Sequence, residues 1–152
     1  MLEFLQALPL ADLIRRSTWA FPAIEVVHLV GIALLFGTII VVDLALLGVL
    51  RAPSLKEAIP SLLTVTKTGA VLVAISGALL VISDPLELWN NPAFRLKIIA
   101  IAIAILNALL FQSYLAEKQK TGAGSVLRKV SIGSSLVLWS GILVLGRAIA
   151  YV

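Results

Sequence analysis

The chain has 152 residues, of which 61% are hydrophobic and only 13% are charged, and its mean hydropathy is +1.09. In a soluble domain about a quarter of the residues are charged, so this composition excludes an ordinary soluble protein. The net charge of +4 is too small to indicate nucleic-acid binding, and the lack of cysteine excludes disulfides and thiolate metal sites. We predict one all-α membrane domain over residues 1–152.

The N-terminal segment, residues 2–17, is predicted to be a short amphipathic helix in the membrane interface. Its leucines are interspersed with acidic and basic side chains, and Pro9 breaks or kinks it. Glu3 and Asp12 stand where a signal peptide would be basic, so a signal peptide is not predicted. Trp19 follows and suits an anchor at headgroup level.

Four apolar runs follow, each close to the ~20 residues that cross the hydrocarbon core. They predict a polytopic membrane protein with four transmembrane helices. The predicted spans are residues 21–50, 62–82, 94–116 and 126–150. The segments RAPSLKEAIPS, SDPLELWNNPAF and EKQKTGAGS separate these spans and are predicted to be loops, because they hold the prolines, glycines and charges.

Small residues at regular spacing favour close packing of the spans into a four-helix bundle. Alanines spaced by four occur in the second span and again in the third, and one face of the fourth span repeats every seven residues. These sets are Ala70, Ala74 and Ala78, then Ala100, Ala104 and Ala108, then Gly133, Ser140 and Arg147.

The distribution of basic residues predicts the orientation, because Lys and Arg are retained in cytoplasmic loops. With four spans, both termini and the middle loop share one side, which carries five basic residues, and the other side carries seven. This bias predicts termini outside the cytoplasm and the Lys118–Lys120 loop inside it.

Three ionisable side chains lie in the first span, where the bilayer centre penalises a charge by at least ~2.5 kcal/mol. Glu25 and His28 are three residues apart and therefore share a helix face. Asp43 follows Glu25 after eighteen residues, which is five full turns. All three are predicted to lie on one stripe that faces the interior of the bundle.

Basic residues at matching depth offer partners to the first two of these groups. The start of the first span and the end of the fourth meet the same leaflet, which predicts a pocket of Glu25, His28, Lys97 and Arg147. We expect a carboxylate–guanidinium contact between Glu25 and Arg147 beside the imidazole, because the arginine fork can hold both carboxylate oxygens.

Asp43 and Lys67 are predicted to form a buried ion pair in the opposite leaflet, since paired charges are tolerated where lone charges are not. A purely structural interpretation stays open, in which such pairs only fix the register of the helices. Buried pairs stabilise a fold no better than apolar packing does, which favours a functional role.

Three segments resemble a family of small bacterial four-helix membrane proteins of unknown function: STWAFPAIEVVHLVGIALLFGTIIVVDLALLG, NPAFRLK and LWSGILVLGRAIAY. The shared motifs are E-x-x-H with its following glycines, N-P-A-F-x-x-K and G-R-x-I-A-Y. The resemblance covers most of the chain and singles out Glu25, His28, Asp43, Lys97 and Arg147. It implies a multi-pass protein of the bacterial inner membrane, with no established activity.

A second resemblance implies a bound cofactor. The segment HLVGIALLFG is similar to the first helix of copper-resistance D-like and small haem-binding membrane proteins, which implies a b-type haem or a metal on His28. Members of the four-helix family carry a further histidine where this chain has Gln112. Here His28 is the only histidine, so a second axial histidine would have to come from another protomer.

Three hypotheses follow. The first is a polar pocket that binds or conducts a proton, an ion or a small polar ligand. The second is a redox module with haem or metal on His28, and the third is a structural or accessory subunit. No catalytic constellation is present, which argues against an enzyme. The partners are the lipid bilayer and, because four helices enclose little volume, a second copy of the chain.

Overall fold

The computed structural model of the chain describes residues 2–118 and 125–152, except for the side chains at positions 2, 56, 112–118 and 125. Within these residues every regular element is a helix and no strand occurs, which confirms the all-α prediction. The helices are α1 (Leu2–Gln6), α2 (Pro9–Arg16), α3 (Ala20–Leu46), α4 (Pro53–Ser83), α5 (Pro85–Asn90), α6 (Pro92–Lys118) and α7 (Ser125–Ala148).

Four helices are long and apolar enough to cross a membrane, as predicted. The qualifying segments are Ala20–Leu46, Glu57–Ser83, Pro92–Phe111 and Val126–Ala148. Many of their valine, leucine and isoleucine side chains are exposed, whereas exposed residues of a soluble helix are mostly polar. Such a surface is suited to lipid. Of the predicted Lys118–Lys120 loop, Lys118 ends α6 and the other two residues lie outside the described part.

The start of α4 differs from the prediction, because the helix begins at Pro53 and not near residue 62. Pro53 takes the first helical position, where a missing N–H costs no hydrogen bond. Leu55, Ala58, Ile59 and Leu62 are all half-buried and recur at helical spacing, so this segment has a packing face of its own. That face outweighs the cost of a proline inside the helix at position 60.

The middle segment was predicted to be a loop and contains the short helix α5. The Asp84 carboxylate accepts a hydrogen bond of 3.3 Å from the backbone N–H of Glu87, which caps the helix start. Pro85 follows at the first helical position and is fully buried. The turn residues of the sequence therefore start a helix here.

The end of α3 lies four residues before the predicted limit, at Leu46. Gly48 takes a positive φ of 77°, which an L side chain rarely adopts. Its conformation lets the N–H of Val49 bond the carbonyl of Leu44 at 3.0 Å. A glycine two residues past the last apolar turn thus ends the helix.

The chain divides into two compact units. The first unit comprises residues Met1–Ile39 and Lys56–Asn91, and the second comprises Ile40–Leu55 and Pro92–Val152. Most of α3 and α4 therefore belongs to the first unit. The last turns of α3 belong to the second unit, together with α6 and α7.

In the first unit, α3 and α4 pack along a line of small and polar residues, here called the α3–α4 seam. Its pairs recur every three or four residues, the spacing at which one helix face repeats. They are His28 with Ser76, Gly31 with Val73, Leu35 with Gly69, and Thr38 with Thr66. A Cβ added at Gly69 would lie 2.6 Å from the backbone nitrogen of Leu35, so the two backbones approach closely.

The face of α4 that packs in the first unit lies beside the row of alanines. The prediction that the alanines form the packing face is wrong. Ala70, Ala74 and Ala78 are all exposed, whereas Gly69 and Ser76 are buried. Glycine allows a closer approach of the backbones than alanine does, and a serine adds an interhelical hydrogen bond. The small residues that pack are therefore one or two positions from the alanine row.

In the second unit, α6 and α7 are joined by a reciprocal amide contact. The Asn107 side chain donates to the carbonyl oxygen of Ser131 at 3.0 Å, and the Ser131 hydroxyl donates to the Asn107 side-chain oxygen at 2.9 Å. Ala104 is buried, as its alanine row predicts, and Ala108 is exposed. Polar side chains thus link these helices.

The face of α7 that carries Gly133, Ser140 and Arg147 at seven-residue spacing is not close-packed, in contrast to the prediction. Ser140 and Arg147 are exposed, and a Cβ added at Gly133 would meet nothing within 4 Å. Ile132 and Ile142 are the buried side chains of this helix. Large apolar residues therefore select the packing face, and the small ones lie beside it.

The amphipathic helix α2 is fixed to the end of α4 by Arg15. Its guanidinium donates to the carbonyl oxygens of Ser83 at 3.0 Å and Gln6 at 2.9 Å. Ser83 is the last residue of α4, where a positive charge also meets the negative end of the helix dipole. Both arginines also pair with Asp12, Arg15 at 3.6 Å and Arg16 at 2.8 Å, but the Arg16 side chain is 80% exposed.

Arg15→Met is expected to weaken the docking of α2 by about 1–3 kcal/mol, because two carbonyls lose a charged donor. Hydrogen exchange of the amides in residues 9–16 measures this effect as a loss of protection. Arg16→Met is the matched control, since an exposed pair contributes less than ~1 kcal/mol. Equal loss of protection in both variants would contradict the role of Arg15.

Candidate functional site

His28 is placed by α3 at the α3–α4 seam, half-buried within an apolar span. Its Nδ1 lies 2.9 Å from the Ser76 hydroxyl oxygen of α4. The Ser76 hydroxyl in turn donates to the carbonyl oxygen of Leu72 in its own helix. Because the serine proton points to Leu72, the histidine Nδ1 is the donor in the contact with Ser76.

This hydrogen bond has a chemical consequence. An imidazole with a proton on Nδ1 is either the neutral Nδ1 tautomer or the imidazolium cation, and both donate from Nδ1. The ring can therefore gain or lose a proton at Nε2 while its bond to Ser76 stays intact. Ser76 is 98% buried, which holds the orienting group rigidly.

Gly77 gives the imidazole its space on α4. A Cβ added at Gly77 would lie 3.1 Å from His28 Cε1, which is tighter than an ordinary contact. Glu25 lies one helical turn before His28 on α3 and is exposed, although the sequence predicts that it faces the interior of the bundle. The first unit thus places an imidazole against a hydroxyl, with a carboxylate one helical turn away, and these three residues are here called the His28 site.

The second unit contains a different polar group, Asp43, in the last turn of α3. Its side chain is 92% buried and hydrogen bonds with Ser135 of α7. One carboxyl oxygen, Oδ2, is buried and has no hydrogen-bond partner among the described residues. A turn further on, Arg128 of α7 donates to the carbonyl oxygen of Leu46 at 3.2 Å.

Lys97 and Arg147 also belong to the second unit. Lys97 is half-buried, and a Cβ added at Gly146 would lie 3.3 Å from its ammonium nitrogen, so the lysine packs against the backbone of α7. The Arg147 guanidinium lies 4.8 Å from the centre of the Tyr151 ring and donates to the Tyr151 hydroxyl. The Lys97 ammonium therefore lies beside Gly146, the residue that directly precedes Arg147 in α7.

Lys67 is exposed on α4 and lines a shallow groove of about 330 Å³. Thr64 and Thr68 flank it, and their hydroxyls donate to carbonyls of their own helix. The predicted pairs Glu25–Arg147 and Asp43–Lys67 each join one residue of the first unit to one of the second. Both pairs stay predictions.

The cofactor alternative can be compared with the donors that the chain provides. His28 supplies the only imidazole of the chain and Met1 the only thioether, so a second axial histidine for a six-coordinate haem would have to come from another copy of the chain. Among the described residues, no three His, Asp or Glu side chains come together in a group able to hold a metal ion.

Sequence reasoning missed the two serines that contact the ionisable groups. Ser76 and Ser135 lie in apolar spans, where serine is a common packing residue. A usable signal is present for Ser135, because Ser131 and Ser135 are four residues apart and share a face of α7. No comparable pattern marks Ser76, whose role depends on the partner helix.

Four helices able to cross a bilayer, with ionisable side chains within them, define the class as a multi-pass membrane protein. No protein-family model, no curated protein and no solved structure matches the chain.

Proposed function

We propose that the protein is a small bacterial inner-membrane protein that binds or conducts a proton, an ion or a small polar ligand at the His28 site. Protons are the species that its chemistry suits best. The single observation that carries the proposal is the contact between His28 Nδ1 and Ser76, which orients an imidazole inside an apolar span. Intramembrane ionisable residues are expensive and are typically functional.

The arrangement of the His28 site supports proton exchange in particular. Ser76 fixes Nδ1 as a donor, so the charge of the ring can change without breaking the bond across the seam. Glu25 lies one helical turn away on α3, at the spacing of residues that share a helix face. The sequence prediction that Lys97 and Arg147 supply counter-charges stays a prediction and is not required here.

The presence of one histidine makes a direct test feasible, because ¹⁵N-histidine labelling reports on His28 alone. In bilayers, we expect the ring to change between its neutral and cationic forms as the pH is varied. Ser76→Ala should shift the neutral ring away from the Nδ1 tautomer. Nitrogen chemical shifts against pH measure both effects.

Proton flux into liposomes with an internal pH-sensitive dye provides the functional readout. We expect His28→Ala and Ser76→Ala to lower the flux at least tenfold, which corresponds to about 1.4 kcal/mol. Thr68→Val is the matched control on α4, since its hydroxyl bonds only a carbonyl of its own helix in the described contacts. A ring that keeps one protonation form at every pH tested, with unchanged flux in both variants, would refute the proposal.

The two alternatives make different predictions for the same purified protein. A haem on His28 gives a strong absorbance band near 400 nm that His28→Ala abolishes, whereas the proton site gives none. A purely structural role predicts that Ser76→Ala lowers stability and leaves the proton flux into liposomes unchanged.

The membrane arrangement belongs to the same proposal. We place α1 and α2 at the membrane surface, since α2 has exposed Leu10 and Leu13 beside charged side chains and Trp19 follows it. The four long helices form a bundle, and copies of the chain associate because one bundle encloses little volume. The termini lie outside the cytoplasm.

The orientation is tested by a cysteine at Gly122, in a chain that has no other cysteine. An impermeant thiol reagent should fail to label Gly122→Cys in intact cells and should label it after lysis. The expectation rests on the seven basic residues of that side against five on the other. Labelling of Gly122→Cys in intact cells would show the opposite orientation, with the termini in the cytoplasm.

A further inference from the structure

We propose that Asp43 and Ser135 form a second proton-binding site, at which Oδ2 of a neutral carboxylic acid carries one exchangeable proton. The site lies in the second unit and shares no described residue with the His28 site. It is independent of the proposed function.

Burial and the lack of a described hydrogen-bond donor at Oδ2 are the first argument for the neutral form. Asp43 is 92% buried, and its Oδ2 has no donor among the described residues. A buried carboxylate oxygen with neither a donor nor a counter-charge costs several kcal/mol. A proton from hydronium that forms an O–H bond at Oδ2 removes this charge and leaves the bond to Ser135 in place.

The position of Asp43 in its helix is the second argument. Asp43 lies three residues before the last residue of α3, where the helix dipole presents its negative end. A negative charge is disfavoured there, whereas a neutral acid is not. An acidic residue placed to be ionised is favoured at the opposite end of a helix.

The charged groups described in the second unit near this end are Arg128 and Lys129 of α7 and Arg51, whose guanidinium donates to the carbonyl oxygen of Gly48 at 3.0 Å. Arg128 donates to the Leu46 carbonyl, so it stabilises the helix end itself. Lys129 is exposed. From α6, the polar group described at this end of the unit is the neutral amide of Asn107, which is bonded to Ser131.

The proposal and the predicted Asp43–Lys67 ion pair differ in the charge of Asp43, so one measurement separates them. Infrared spectra of the protein in bilayers at pH 7, with ¹³C-labelled aspartate carboxyls, distinguish an acid from a carboxylate. We expect an acid C=O band that is absent in Asp43→Asn and that shifts in D₂O. The D₂O shift is measured on the unmodified protein and needs no variant.

Three variants complete the test. Ser135→Ala should move the acid band to higher frequency, because the carboxyl loses a hydrogen bond. Lys67→Met and Arg128→Gln should leave the band unchanged. Carboxylate bands at Asp43, an acid band that arises only in Lys67→Met, or an acid band insensitive to D₂O would each overturn the proposal. None of these readouts depends on His28.

Discussion

Gly69→Ala is expected to destabilise the protein by about 3 kcal/mol, near the upper end of overpacking effects. The added Cβ would lie 2.6 Å from the backbone nitrogen of Leu35 and 2.9 Å from the carbonyl oxygen of Gly31. Both atoms belong to the backbone of α3, so no side-chain rotation relieves the clash. The two helices must move apart, and this separation also lengthens the His28–Ser76 contact.

Gly37→Ala is the matched control, since Gly37 is also a glycine inside a span and a Cβ there would meet nothing within 4 Å. We expect it to be neutral or to stabilise the protein by up to about 1 kcal/mol, because alanine favours a helix more than glycine does. Unfolding of both variants in mixed micelles by increasing SDS measures the difference. A Gly69→Ala variant as stable as Gly37→Ala would show that the seam is not close-packed.

Ile14→Ala is expected to cost about 2–5 kcal/mol, the range for a large buried aliphatic side chain. Ile14 is 2% exposed, although it belongs to a short amphipathic helix near the N-terminus. Its neighbour on the same face, Ala11, is completely buried. The apolar face of α2 therefore packs within the protein, and its truncation should leave a cavity.

Leu13→Ala provides the control in the same helix, because Leu13 is 61% exposed. We expect it to change the free energy of unfolding by less than ~1 kcal/mol. Hydrogen exchange of residues 9–16 locates the effect, since the Ile14 variant should lose protection there first. If both variants lose protection equally, α2 is held by the membrane surface and not by Ile14.

The site was only partly predictable. Glu25 and His28 share a helix face because three residues make nearly one turn, which is a local property of the chain. The hydrogen-bond partner of His28 is not local, since Ser76 lies forty-eight residues away on another helix. The same holds for Asp43 and Ser135. A sequence marks which groups are costly to bury but not which neutral hydroxyl meets them.

The sequence by itself determined that the chain has four helices able to cross a membrane and no strand in its described part. A span needs about twenty apolar residues, and this requirement is met along the chain without reference to any partner. The break at Pro9 is local for the same reason, because the proline ring restricts the backbone angles.

Only the tertiary structure decided which faces of those helices meet. Alanine rows and heptad rows recur by chance in apolar helices, so Ala70 and Ser140 looked as suitable for packing as Gly69. The choice depends on how two surfaces fit at once: backbones approach closely where a glycine faces a backbone, and hydroxyls pair where Thr38 faces Thr66. Such complementarity belongs to two helices together, and neither sequence segment contains it alone.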